Sequence, residues 1–130
     1  MRFGLTEEQN MIVDTVRGFV EKEIYPHEAR VEELGYVPTE IAEDIKSKVL
    51  EMGFYAPNFP EEVGGGGLNH LEFALLEREL GRGSMALTHF WGRPQNILMA
   101  CEGEQKERYL YPASGSVMAK ASILSPLTAG

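Results

Sequence analysis

Pro57-Asn58-Phe59-Pro60-Glu61-Glu62-Val63-Gly64-Gly65-Gly66-Gly67-Leu68 decides how the rest of this chain is read. Two prolines, paired carboxylates and four consecutive glycines interrupt a sequence that is otherwise helical in pattern. Proline holds φ near about −65° and glycine tolerates positive φ, so the stretch is a rigid entry followed by a permissive turn. Such a path has value only where something packs against it.

The flanks of this loop read as helices. Upstream, the spacing predicts a helix from about Pro38 to Met52, with Ile41, Ile45 and Val49 as its apolar stripe. Glu40, Glu43 and Asp44 sit toward the positive end of its dipole and Lys46 and Lys48 toward the negative end, and Gly53 is placed to end it. Downstream, Asn69 followed by Glu72 reads as an N-cap, and Phe73, Leu76 and Leu80 form a stripe closed by Gly81 and Gly83.

Further out, Thr6-Glu7-Glu8-Gln9 has the form of a capping box. Ile12, Val16, Phe19, Val20 and Ile24 then recur at helical spacing, and Pro26 marks an end or a kink. Ser84 is a candidate cap for a helix over 85–101 that is apolar on nearly every side, which predicts a central helix surrounded by protein. Glu104 to Leu110 reads as a short polar helix stopped by Pro112, and Val117 to Leu124 has the content of a strand. The expected class is all-α, an orthogonal bundle of five to six helices with a short β-strand at the C-terminus.

Composition narrows the function. With 130 residues and 43% hydrophobic content, the chain supports one domain with a real core. A net charge of −8 with twelve scattered basic residues argues against a nucleic-acid or anionic-membrane surface. No apolar run approaches the roughly 20 residues that cross a bilayer. Cys101 is the single cysteine, so no internal disulfide forms, and the N-terminus carries no secretory pattern; a cytoplasmic protein is expected.

The chemistry-bearing residues are sparse. Gly64 to Gly67 invites a phosphate cradle, but there is no G-x-G-x-x-G after a strand and no Gly-Lys-Ser/Thr, and Glu61 and Glu62 would repel phosphate; a structural turn is favoured. Adjacent loop carboxylates rarely converge on one substrate atom, so Glu61 and Glu62 read as solvated. His27, His70 and His89 are far apart and lack a ligand pattern, so no metal site is expected. Cys101 reads as an inert thiol. Phe90-Trp91-Gly92-Arg93-Pro94-Gln95 mixes aromatic, glycine and polar residues, which fits either a lined apolar pocket or core packing with a kink at Pro94.

Taken in order, five segments resemble the N-terminal helical domain of the acyl-CoA dehydrogenase family. Leu5-Thr6-Glu7-Glu8-Gln9 resembles its opening cap, and Leu50-Glu51-Met52-Gly53-Phe54 its second-helix exit. Pro60-Glu61-Glu62-Val63-Gly64-Gly65 is similar to its P-E-E-(Y/F)-G-G loop, and Glu77-Arg78-Glu79-Leu80-Gly81-Arg82 to its E-E-L-(A/G)-(R/K). Gly103-Glu104-Gln105-Lys106-Glu107-Arg108-Tyr109-Leu110 resembles its G-(S/T)-E-x-Q-K-x-(R/K)-Y-L.

The resemblance implies a three-part fold, of which residues 1–113 are the helical domain and 114–130 the start of the flavin-binding middle β domain, where this sequence stops. It implies FAD as cofactor, an acyl-CoA substrate undergoing α,β-dehydrogenation, and a homo-oligomer or a missing remainder as partner. The family's catalytic glutamate lies in its C-terminal region, so no residue here inherits that role. By position, Trp91, Pro94, Gln95 and Leu98 correspond to the wall of the acyl-chain channel. Ser122, Leu124 and Ser125 correspond to flavin contacts, although Ser125, Pro126 and Leu127 stand where the family has Thr, Glu and Pro. The resemblance implies an enzyme part that is inactive alone. A different class of reading is a non-catalytic helical binding or assembly module derived from the same domain.

Overall fold

The computed structural model describes residues 4–115. Among these residues every regular element is helical, which gives the all-α class. The predicted strand over 117–124 lies outside them.

The first helix, α1 (Glu7–Phe19), starts as its sequence demands: the Thr6 hydroxyl accepts from the Gln9 amide and the Gln9 side chain accepts from the Thr6 amide. It buries Ile12, Val13, Val16 and Phe19. Pro26 does not end the helical path. Residues Val20–Ile24 widen into a π-helical turn and α2 (Tyr25–Leu34) continues, with the proline in its first turn. A proline inside a helix has no N–H to donate and its ring collides with the carbonyl four residues back; a wider turn ahead of it relieves both problems. The same solution recurs at Tyr111-Pro112. There the π-helical Lys106–Leu110 leads into α6 (Tyr111–Ser114), so Pro112 is passed and the helix stops at Gly115, whose φ is 71°. The expectation that Pro112 ends the helix is corrected accordingly.

Between them, α3 (Thr39–Met52) buries Ile41, Ile45 and Val49 and ends at Gly53 with φ 78°. α4 (His70–Leu80) opens on a second capping box, Asn69 with Glu72, and buries Leu75, Leu76, Glu79 and Leu80.

The predicted central helix over 85–101 does not form. The chain makes a single helical turn, α5 (Met85–Thr88), then 3-10 turns at His89–Trp91 and Asn96–Ala100 with a non-helical stretch between. Gly92 takes a left-handed φ of 78° and Pro94 cannot donate into a helix, so the run is broken where those residues fall. It is not buried all round either, since Met85 is 79% and Ile97 75% exposed. Ser84 makes no side-chain cap; its backbone N–H instead donates to the Glu28 carboxylate at 2.7 Å.

The described chain divides into two compact units, one of residues up to Ile45 with Asn69–Phe90, the other of Lys46–Leu68 with the chain from Trp91 onward. In the first, α1 packs on α4, and Val16, Val20, Ile24, Leu76, Leu80 and Leu87 are sealed from solvent. Each such side chain contributes about 1.5–3 kcal/mol through removal from water. In the second, Ala56, Phe59 and Leu110 form a buried cluster, flanked by Tyr55, Val63, Leu98, Cys101 and Tyr111.

Candidate functional site

Within the second unit, two stretches run beside each other in the same direction without forming a sheet. The Phe54 carbonyl accepts from the Trp91 indole N–H at 2.9 Å, the Ala56 N–H donates to the Gly92 carbonyl at 2.9 Å, and the Asn58 amide donates to the Pro94 carbonyl at 2.8 Å and to Asn96 Oδ1 at 2.7 Å. Residues 54–58 therefore hold residues 91–96 at four successive points. Tyr55 adds a steric contact, since its ring lies where a Cβ on Gly92 would be. Burial of the Tyr55 phenol pushes its pKa up, and the Lys46 ammonium stands 5.5 Å from the ring centre.

Ala56 explains how these contacts reach the glycine loop. It is fully buried and has a positive φ of 48°, which a non-glycine residue adopts only when its surroundings hold it there. Its carbonyl accepts from both the Phe59 and Gly66 N–H groups, so one strained residue joins the loop to the 91–96 stretch. Gly65 packs so closely on the Phe59 backbone that no side chain fits, and Gly64 and Gly67 have φ values of 90° and 69°. A Cβ on Gly66 would lie 3.0 Å from Pro57 Cα, so all four positions favour glycine for the backbone path.

The phosphate-cradle reading fails on the same hydrogen bonds. Gly64, Gly65, Gly66, Gly67 and Leu68 donate their N–H groups to the carbonyls of Glu61, Pro60, Ala56, Phe59 and Pro57 respectively. An anion, or the pyrophosphate of a flavin, would find these donors already taken. Glu61 and Glu62 are exposed, as their sequence context suggests.

The structure separates the four residues placed on the channel wall by resemblance. Trp91 is fully buried and hydrogen-bonded, so it anchors the segment from inside. Pro94 is half-buried and supplies a carbonyl to Asn58, Gln95 is exposed, and Leu98 packs against the Ala56, Phe59 and Leu110 cluster. Ser122, Leu124 and Ser125 lie outside the described residues. Cys101 is partly buried and packs on the same cluster. Among the described residues no group of three His, Cys, Asp or Glu side chains is arranged to hold a metal ion, and no helix is long and apolar enough to cross a membrane.

The first unit holds a charge cluster that sequence reasoning did not single out. Glu79 is completely buried, and Arg17, Arg78 and Arg82 approach its carboxylate at 3.0, 3.0 and 3.1 Å. The hydrogen bonds from Arg17 hold the Glu79 carboxyl below the ordinary carboxylate range against the opposing effect of burial. The signal lay in the spacing: Glu79 is three residues past Leu76 and one before Leu80, on the buried face of α4, where a charge needs partners.

These features define a helical domain built on a capped α1–α4 pair and a glycine-loop clamp. The family model for the acyl-CoA dehydrogenase N-terminal domain matches residues 6–116, and the chain belongs to the acyl-CoA dehydrogenase family. It is 34% identical over 133 aligned positions to a probable acyl-CoA dehydrogenase, YngJ, of Bacillus subtilis, covering 97% of this chain and 34% of that protein. It is 39% identical to benzylmalonyl-CoA dehydrogenase of Aromatoleum aromaticum over 67% of this chain and 22% of that protein. The human mitochondrial short-chain specific acyl-CoA dehydrogenase is 38% identical over 61% of this chain and 18% of its own length. The chain thus spans about a third or less of each of these relatives. No solved structure matches it.

Proposed function

We propose that this chain is the N-terminal part of a flavin-dependent acyl-CoA dehydrogenase that carries out α,β-dehydrogenation of acyl-CoA thioesters. Its contribution is one wall of the acyl-chain channel and a surface for assembly of the FAD site. Residues 91–98 supply the wall, with Trp91 as the buried anchor and Pro94, Gln95 and Leu98 as the groups that an acyl chain meets. The observation that carries this reading is the four-point attachment of residues 91–96 to residues 54–58, because a channel wall must be held still and a loop without that support would not be.

FAD chemistry enters through the family. The glycine loop offers no flavin cradle, since its donors are occupied. Flavin contact falls to Ser122, Leu124 and Ser125 and to further protein, either another subunit of a homo-oligomer or the remainder of the enzyme. The chain alone is inactive under this reading, because dehydrogenation needs a positioned base and a bound flavin. A cytoplasmic location goes with it.

Purified chain mixed with FAD and acyl-CoA tests the proposal: it should retain no flavin absorbance after gel filtration and should not oxidise acyl-CoA. Unaided oxidation would refute it. A second reading, a non-catalytic binding or assembly module, draws on the exposure of Ile97 and Met99 at 75% and 42%, since such side chains suit a covered surface. Light scattering separates the two once the flanking reading frames are known. Self-association with no related coding sequence nearby favours the module.

A further inference from the structure

Asn58 has no role in the family resemblance, yet it is the residue that holds the outer end of the candidate wall. Its Nδ2 reaches two acceptors at once, the Pro94 carbonyl at 2.8 Å and Asn96 Oδ1 at 2.7 Å. The Pro94 carbonyl, which can only accept, fixes the amide orientation, because the flipped form would set Oδ1 against it. In that orientation Oδ1 has no hydrogen-bond partner among the described residues. What the amide offers is geometry, two donor hydrogens on one nitrogen spanning a backbone and a side-chain acceptor two residues apart.

We infer that Asn58 is the positioning residue of the 94–96 segment, setting the path on which Pro94, Gln95 and Leu98 face an acyl chain. The inference rests on the reading of 91–98 as channel wall. Two further supports of that segment, Trp91 on Phe54 and Gly92 on Ala56, lie at its inner end. Beyond Gly92, the Asn58 amide ties Pro94 and Asn96 to residues 54–58, and the 3-10 turn that carries Leu98 follows directly, its Leu98 N–H donating to the Gln95 carbonyl at 3.1 Å.

Two isosteric substitutions on the two ends of one hydrogen bond separate positioning from space-filling. Asn58→Asp keeps the shape, removes both donors and sets a charge against two acceptors. Asn96→Asp keeps an acceptor facing Asn58. Amide hydrogen exchange on the 130-residue chain should therefore quicken roughly tenfold or more at Leu98 and Cys101 in Asn58→Asp, with α1 and α4 amides unchanged. In Asn96→Asp the same amides should stay within about twofold of the parent. Asn58→Ser, uncharged and too short to span both acceptors, should reproduce the local pattern if Asn58→Asp lowers global stability. Equal effects of the two aspartates, or unchanged exchange at Leu98 and Cys101 in Asn58→Asp and Asn58→Ser, would overturn the assignment. Failure of the chain to serve any acyl-CoA dehydrogenase would remove the channel reading and leave this exchange pattern as it is, so the two are distinguishable.

Discussion

Arg17 on α1 meets the fully buried carboxylate of Glu79 on α4 through two hydrogen bonds of 3.0 Å, one from Nε and one from Nη2. The pairing locks the two helices that form the body of the first unit. Because Glu79 is sealed from water, its charge is tolerated only with its arginines in place. Replacing Glu79 by Ala leaves three half-exposed guanidinium groups without their shared acceptor and should lower unfolding free energy by about 1.5–3 kcal/mol, the scale of hydrogen bonds to a charged group. Urea denaturation measures the loss, and a loss under about 1 kcal/mol would show the cluster to be a surface feature.

The same carboxylate gives a pH dependence whose sign is fixed. The folded-state pKa of Glu79 is depressed by Arg17 below that of the unfolded chain, so its contribution is present above about pH 4.3 and is lost as pH falls through the folded value. The urea midpoint of the parent chain should drop on acidification below about pH 4 more steeply than that of Glu79→Gln, which cannot titrate. Parallel curves would contradict the assignment.

Two glycines should respond in opposite directions to alanine. Gly92 has φ 78° and the Tyr55 ring lies where its Cβ would be, so Gly92→Ala combines backbone strain with overpacking and should cost about 2–4 kcal/mol. Gly18 lies in α1 with nothing within 4 Å of a built Cβ, so Gly18→Ala should stabilise by about 0.5–1 kcal/mol through helix propensity. Thermal unfolding of the two variants side by side checks both signs.

Each capping box should be worth a measurable amount on its own. Thr6→Ala removes the hydroxyl that accepts from Gln9, and Asn69→Ala the oxygen that accepts from Glu72 at 2.8 Å. Each should cost about 1 kcal/mol by urea denaturation, and their effects should add because the caps share no partners.

Local rules made part of this fold legible. Thr6 with Gln9 and Asn69 with Glu72 mark helix starts because the capping hydrogen bonds span three residues and are complete within the sequence. The stripes Ile12–Val16–Phe19 and Ile41–Ile45–Val49 are buried as periodicity requires. The glycine loop was readable as a turn for the same reason. Contacts distant in sequence were less accessible. Ala56 holds a positive φ because of hydrogen bonds to Gly92 and Gly66, and no property of alanine announces it. Composition over 85–101 suggested a helix, but Gly92 and Pro94 break it once Tyr55 and Asn58 offer better partners. Pro112 reads as a stop, and Pro26 as an end or a kink, because a π-helical turn has no sequence signature of its own. Of the candidate wall, the segment was legible and its fastening was not: Asn58 and Pro94 are 36 residues apart.

The central claim is that residues 91–98, held by 54–58, form a working channel wall once the rest of an acyl-CoA dehydrogenase is present. Grafting residues 1–115 of this chain in place of the matching segment of the Bacillus subtilis relative, then titrating the purified flavoprotein with acyl-CoA thioesters of increasing chain length, tests it most directly. The account predicts flavin bleaching by some of these substrates and a change in preferred chain length when Asn58→Asp is introduced. A graft that folds and retains flavin, yet is bleached by no acyl-CoA that bleaches the parent enzyme, would contradict it.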